Sequence, residues 1–397
     1  MPLRVLLWSQ ARLINLVLRL EAIGRVALRN RRLARLPRPA TVATHRFRID
    51  LPSDAEPRSA VIHAHGYPVE IKEREWSDLA IRAGAPGFAI HEDLLYLPAG
   101  DALPQSGLYD RDGQPATESV LFRGETQMSG LAKVAPWDPR PGLAVEERDA
   151  IYLGHVSSIG HFLTETLSRV WVRDACGLAD PVWVFHGADP RVKPWGAELL
   201  RHAGIPLDRL VRYAAPTRLR RVVVPRPALE LNAGIWSIFP EFMADLGARV
   251  LGRSVVRRSE QPLYLSRERM RPRQRIHGNE GALSAWLRAR GTRIVHFQDM
   301  PIAEQVRAIN THATVIGPVG SAHHLNLLAG RPARHIYLAR SLGPQTYMLV
   351  DAAKGNASHW IRARDLPSRL KRGKSPHLQN TLIDLDLSKR VLTDLGV

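Results

Sequence analysis

The sequence predicts an α/β protein of two lobes, each on a doubly wound parallel sheet, with a cleft between them. Three observations carry that expectation. From "PLYLSRER" onward, strand-length apolar runs alternate with helix-length amphipathic ones: "NEGALSAWLRARG", "TRIVHF", "PIAEQVRAINTH", "ATVIGP", "SAHHLNLLAG" and "ARHIYLA". An earlier series of the same kind runs through "AIYLGHV", a helix from about Gly160, "PVWVFHG", "PWGAELLRHAGI" and "LRRVVVPRPAL". A helix through "FPEFMADLGARVLGRSVV" bridges the two. Helices of this length between strands make right-handed parallel crossovers, and ligands of such sheets bind beyond the carboxyl ends of the strands.

In chain order, residues 1–40 form a basic helical segment. Arg12, Asn15 and Arg19 share one helical face while Leu6, Leu13, Ile14 and Leu20 gather elsewhere, the pattern of an amphipathic helix. Arg12 and Arg19 interrupt the apolar run short of the ~18–20 residues that cross a bilayer. The expectation for residues 1–36 is a peripheral contact with an anionic membrane surface, or packing on the protein itself or a sister subunit. No small-residue cleavage site follows, which argues against a secretory signal. Beyond "LPRPA" the chain turns β-rich at "TVATHRFRID", "SAVIHAHG" and "GFAIHEDLLYLP", and "GLYDRDGQPATESVLF" reads as a hairpin turning at Asp112-Gly113. The lobes fall at 41–240 and 241–360, with a tail at 361–397.

Of 397 residues, 45% are hydrophobic and 24% charged, a globular composition with enough apolar material for a sizeable core. The single Cys176 excludes an intrachain disulfide framework and fits a reducing, cytoplasmic setting. A formal charge of +18 asks for an anionic partner: nucleic acid, anionic lipid or a phosphorylated small molecule. Codon bias in a GC-rich genome also yields such an excess of arginine. The arginines are dispersed and aromatics make up only 6%, which counts against a nucleic-acid surface.

Three segments carry candidate chemistry. In "TVIGPVGSAHHLNLLAG", Gly317 and Gly320 occupy a strand-to-helix turn and Ser321 opens the helix. Free N–H groups at such a terminus suit a diphosphate, although Ser321 is also what an ordinary N-cap looks like. The turn lacks the second glycine of G-x-G-x-x-G and the lysine of a P-loop, and no suitable acidic residue ends the next strand, so a nicotinamide cofactor is not expected. "LYLSRER" sets Ser266, Arg267 and Arg269 just past a strand, where Arg267 can grip a phosphate bidentately; a solvated basic loop is the plainer alternative. In "GHVSSIGHFLTETLSRVW", His161, Glu165 and Arg169 fall at i, i+4 and i+8 on one helical face. A carboxylate so held can act as a general base, and a surface Glu165–Arg169 ion pair is the plainer alternative. No metal site is expected: there is no H-E-x-x-H and no cysteine pair. Asp110/Asp112 and Asp384/Asp386 sit in a hairpin turn and a polar C-terminal end.

Taken in order, "GHFLTETLSRVW", "LYLSRERMRPRQRIHGNEGAL" and "PIAEQVRAINTHATVIGPVGSAHHLNLLAG" resemble glycosyltransferase family 61, the group also labelled capsular polysaccharide biosynthesis proteins, over roughly residues 150–340. The resemblance implies a GT-B fold and inverting, cofactor-free transfer from a nucleotide sugar, UDP-linked as in the family's eukaryotic members. It implies that the 41–240 lobe takes the acceptor, a glycan or lipid-linked precursor, and that the 241–360 lobe takes the donor. His161 and Glu165 match the family's H-x-x-x-D/E pair, with Glu165 as base oriented by His161 and Arg169. Ser266 and Arg267 match its Y-[IL]-S-R segment, Asn279 and Glu280 its Asn-Glu pair, Glu304 and Gln305 its E-Q pair. Gly317, Gly320 and Ser321 match its glycine turn, and Asn326 an asparagine beyond it. That turn usually reads G-x-H-G-[SA]; Val319 stands where the histidine would be, and His323 or His324 could supply the missing contact. The rival readings are a non-catalytic nucleotide-sugar-binding or polysaccharide-assembly protein, a nucleic-acid-binding protein and a Rossmann oxidoreductase.

Overall fold

A computed structural model describes residues 44–51, 58–67, 79–98, 106–123, 126–130, 133–138, 142–270, 277–342, 345–365 and 381–397. The amphipathic segment of residues 1–40 lies outside the described residues. The rest is a mixed α/β structure with two large sheets.

The first sheet is made mainly by the C-terminal half. Across it run Arg293–Val295, Leu263–Leu265, Thr314–Pro318, Arg334–Ala339 and Ala357–Asp365, all parallel. In chain order these strands stand 2-1-3-4-5, so the order reverses between Leu263–Leu265 and Thr314–Pro318. Two strands from far upstream complete the edge. Arg58–His65 lies parallel to Ala357–Asp365, and Thr44–Leu51 pairs with it antiparallel. The sequence division at residue 240 assigns these strands to the other lobe; backbone pairing over such a separation has no local sequence signature.

The second sheet carries Leu210–Val211, Val182–His186, Ala150–His155 and Thr217–Pro225 in parallel. Phe88–Leu97 and Gly107–Tyr109 extend it antiparallel. Its parallel strands stand 3-2-1-4, with the reversal between Ala150–His155 and Thr217–Pro225. "VWVFH" is buried at all five positions, as a strand covered on both faces must be.

The bridging helix, Ile238–Leu251, buries Phe239, Met243 and Leu246 at helical spacing, and all three join a core cluster shared by residues of both halves. Its Gly247 lets the backbones close up: a Cβ there would stand 2.0 Å from the Leu328 carbonyl oxygen. The helix stops at Gly252, whose φ of 60° suits a glycine stop, so "GRSVV" is not helical as the sequence suggested.

Three local expectations also need correction or gain a cause. "SAHHLNLL" is a tight 3-10 turn, Ser321–Leu328, preceded by Gly320 and without a side-chain cap, so Ser321 is not its N-cap. Asp110 Oδ1 accepts the Gln114 N–H at 2.8 Å, and Asp384 Oδ1 accepts the Leu387 N–H at 3.2 Å, which gives one carboxylate of each D-x-D triplet a local structural role.

Candidate active site

An open parallel sheet leaves a crevice where its strand order reverses. Here the two reversal points face each other. Beyond Ala150–His155 the chain enters the helical segment from Ile159; beyond Thr314–Pro318 it enters the turn at Val319, Gly320 and Ser321. The two meet at Gly160, where a Cβ would stand 2.7 Å from Ser321 Oγ and 3.4 Å from the His324 ring. A side chain at this position would have to displace the Ser321 side chain.

Two cavities flank this contact and share Arg267, Gly320 and Ser321 as a common wall. The larger, about 620 Å³, is lined by Trp195, Phe297 and Met300 with Ser266 and Gln305. The smaller, about 430 Å³, is lined by Arg123, His161, His324 and Tyr347, with Asn232 and Thr346.

The helical segment widens into a π turn over Phe162–Thr166, a distortion that often marks functional sites. It carries Glu165 almost fully buried while His161 stays 37% exposed at the small cavity. His161 Nδ1 lies 2.9 Å from Glu165 Oε1. Arg123 Nε donates to the same oxygen at 2.8 Å, and Arg123 Nη2 donates to Oε2 at 3.3 Å. Burial works against the charged form of Glu165, but the hydrogen bonds from His161 and Arg123 outweigh it and hold the carboxyl below its ordinary range. The expected Glu165–Arg169 pairing does not form. Arg169 is buried, gives its hydrogen bonds to the Glu118 carbonyl (2.9 Å) and the Pro225 carbonyl, and crosses the Tyr152 ring at 5.7 Å. The 3-10 geometry of Leu167–Asp174 breaks the simple i, i+4, i+8 stripe.

Across the gap, Arg267 leaves the Leu263–Leu265 strand with Nη1 donating to the Val319 carbonyl at 3.4 Å. A Cβ on Gly320 would stand 2.1 Å from that nitrogen, so the glycine makes room for the guanidinium. Beneath it Glu280, 3% exposed, accepts the Arg267 backbone N–H at 2.7 Å and the Tyr264 hydroxyl at 3.2 Å. Burial pushes the Glu280 carboxyl up to about 7. His324 stacks on Tyr347 with ring centroids 4.5 Å apart, and burial lowers its pKa to about 4, so it is neutral at physiological pH.

Of the residues singled out from sequence, His161, Ser266, Arg267, Gln305, Gly320, Ser321 and His324 line the two cavities. Gln305 spends its amide N–H groups on the carbonyls of Phe297 and Met300, both at 2.8 Å. Glu165 and Glu280 sit one layer behind. The others support the fold elsewhere. Asn279 ties down Ile383 through both backbone groups (2.9 and 2.8 Å), Glu304 is exposed, and Gly317 packs within its strand on Leu265. His323 lies buried beside His335 and Tyr337, and Asn326 donates to Asp351 at 3.3 Å. Sequence reasoning missed Arg123, on the small hairpin of Phe122–Arg123 and Thr126–Gln127. It also missed Asn232, whose φ of 57° and mutual hydrogen bonds with Thr346 close the floor of the small cavity.

The family described as Glycosyltransferase 61 matches residues 159–340, from the helix of His161 to just past the Arg334–Ala339 strand, a little under half of the chain. No curated protein matches it.

Proposed function

From the premise that the chain carries a glycosyltransferase family 61 region, we propose an inverting glycosyltransferase of GT-B type. It moves a sugar from a nucleotide donor, UDP-linked, to a hydroxyl of a glycan or other surface-polysaccharide precursor. The observation that carries this reading is the shared wall: a cationic glycine turn from one sheet stands beside a carboxylate-backed imidazole from the other.

The roles follow from the chemistry. Glu165 has both oxygens engaged, lies buried and is held below its ordinary pKa, which makes it a poor proton acceptor. His161, bound through Nδ1 to Glu165, keeps Nε2 as its basic atom and lines the small cavity. His161 is therefore the base in this reading, with Glu165 and Arg123 orienting it, in place of the Glu165-as-base role implied by the family pattern. It takes the proton of the acceptor hydroxyl as that oxygen bonds to the anomeric carbon from the face opposite the leaving group. The anomeric carbon–oxygen bond to the nucleotide breaks, and the released charge falls on the diphosphate. Arg267 and the backbone N–H groups near Gly320 stabilise it. The larger cavity, with Trp195 and Phe297, takes the nucleoside. His324, facing the smaller one, stands in for the histidine that Val319 replaces. The setting proposed is cytoplasmic, at the inner face of a membrane, which the single cysteine and the amphipathic pattern of residues 1–36 support.

A thermal-shift screen of nucleotides and nucleotide sugars, followed by transfer assays, tests the reading. UDP should raise the melting temperature of the wild type but not of Arg267→Ala. His161→Ala should keep the shift and lose transfer. No shift with any nucleotide would remove the enzyme reading; a shift without transfer by the wild type would favour a binding protein.

A further inference from the structure

The first sheet has an edge opposite the cavities that the transferase chemistry leaves unused. Its parallel strands start in register: Leu263 pairs with Arg293 and Val315, and Thr314 with Arg334. The segments leading into them therefore collect at one edge. These are the loop 252–262, the ends of helices Glu280–Ala289 and Ile302–Thr311, and the loop 329–333. They bring Arg253, Arg257, Arg258, Arg293, Arg307 and Arg331 to that edge, all exposed. Among the described residues no carboxylate pairs with any of them; Arg307 donates to Ser254 Oγ at 3.2 Å, and Glu260 is an exposed acid of the same loop. Arginines on one strand of the second sheet are paired instead. On the Thr217–Pro225 strand, Arg218, Arg220 and Arg221 pair with Asp93, Glu147 and Asp149.

A second observation is independent of charge. Val255, between Arg253 and Arg257, is 86% exposed, against 49% for Ile90 and Phe122, the next large hydrophobics among the described residues. On helix Glu280–Ala289, half-buried Trp286 lies under Arg290 (4.6 Å) and Lys389 (6.0 Å).

We propose that this edge docks on an anionic lipid bilayer, with the arginines on headgroup phosphates and Val255 entering the interfacial layer. The basic row crosses four strands, about 15 Å at the usual strand spacing, wider than a single small anion needs. An aliphatic tip offers no face on which a nucleobase can stack, which sets nucleic acid aside. An arginine near an anionic surface changes partitioning about fivefold. The cavities open at the other edge of the same sheet, so docking turns the cleft away from the bilayer, toward an extended acceptor.

The test uses the full chain and vesicles of phosphatidylcholine alone or with about one-third phosphatidylglycerol, read by sedimentation. Wild type should bind the anionic vesicles and release as salt rises. The triple variant Arg253→Gln, Arg257→Gln, Arg258→Gln should partition on the order of 100-fold less. Val255→Asp should bind less and Val255→Trp more. All four positions are exposed, so melting temperature and any nucleotide shift should stay at wild-type values. The proposal is overturned if wild type ignores anionic vesicles at low salt. It is also overturned if the triple variant binds like wild type, which would move binding to another segment such as residues 1–36. Retention of single-stranded DNA at a salt concentration that abolishes vesicle binding would assign the edge to nucleic acid instead.

Discussion

The two reversal points share a topology and differ in chemistry. The one beyond Ala150–His155 presents a carboxylate that is buried, hydrogen-bonded on both oxygens and set behind an imidazole. The one beyond Thr314–Pro318 presents a guanidinium against glycine backbone, with a buried carboxyl beneath that sits near neutrality. In the proposed reaction the first side accepts a proton and the second receives an anion. The difference teaches that the crevice supplies only location; the residue following each strand decides what happens there.

The largest expected break in that comparison is His161→Ala. Transfer should fall about 10²–10⁴-fold while nucleotide binding stays within error, measured by donor turnover beside thermal shift. Arg267→Ala probes the other side. It removes a charge-assisted contact of about 1.5–3 kcal/mol, so donor KM should rise roughly tenfold to a hundredfold with the pH profile of transfer unchanged. Gly160→Ala tests the spacing between them. Overpacking of about 1–3 kcal/mol should lower the melting temperature, and adding Ser321→Gly should restore part of it, since it removes the Ser321 Oγ and Cβ that the new methyl would meet.

The effect least tied to the site is on acid stability. Burial lowers His65, His155, His277 and His324 to about 4, and His335 and His359 to about 3. A folded-state pKa depressed below the unfolded value gives stability that is present above about 6.5 and lost as pH falls toward the folded values. Melting temperature should therefore drop steadily from pH 6.5 downward, and His335→Gln should flatten the slope. A flat profile between pH 7 and 4 would contradict the burial of these rings.

Much of the fold was legible from sequence. The alternation from "PLYLSRER" to "ARHIYLA" gave four of the parallel strands of the first sheet because period-2 and period-3.6 patterns are local properties. The site was legible where it follows a strand directly, as at Arg267 and Gly320. Arg123 lies 42 residues from Glu165, on a strand pair too short to show a pattern, and the π turn has no sequence period. The helix Gln345–Lys354 and the strand Ala357–Asp365 went unread beside a boundary placed at residue 360. Asn279 and Asn326 carry the family's motif yet brace backbone and core, a reminder that a motif position can be structural.

The strand pairing of Arg58–His65 with Ala357–Asp365 sets a waiting time. Ile62 finds Ser358 only after about 300 further residues have been made. At typical synthesis rates that is on the order of 15–60 s. During that interval the hairpin with Thr44–Leu51 holds one edge open, available to any other unpaired strand. A chain that stops before Ala357 never closes that edge, so early termination should yield aggregates rather than a soluble fragment.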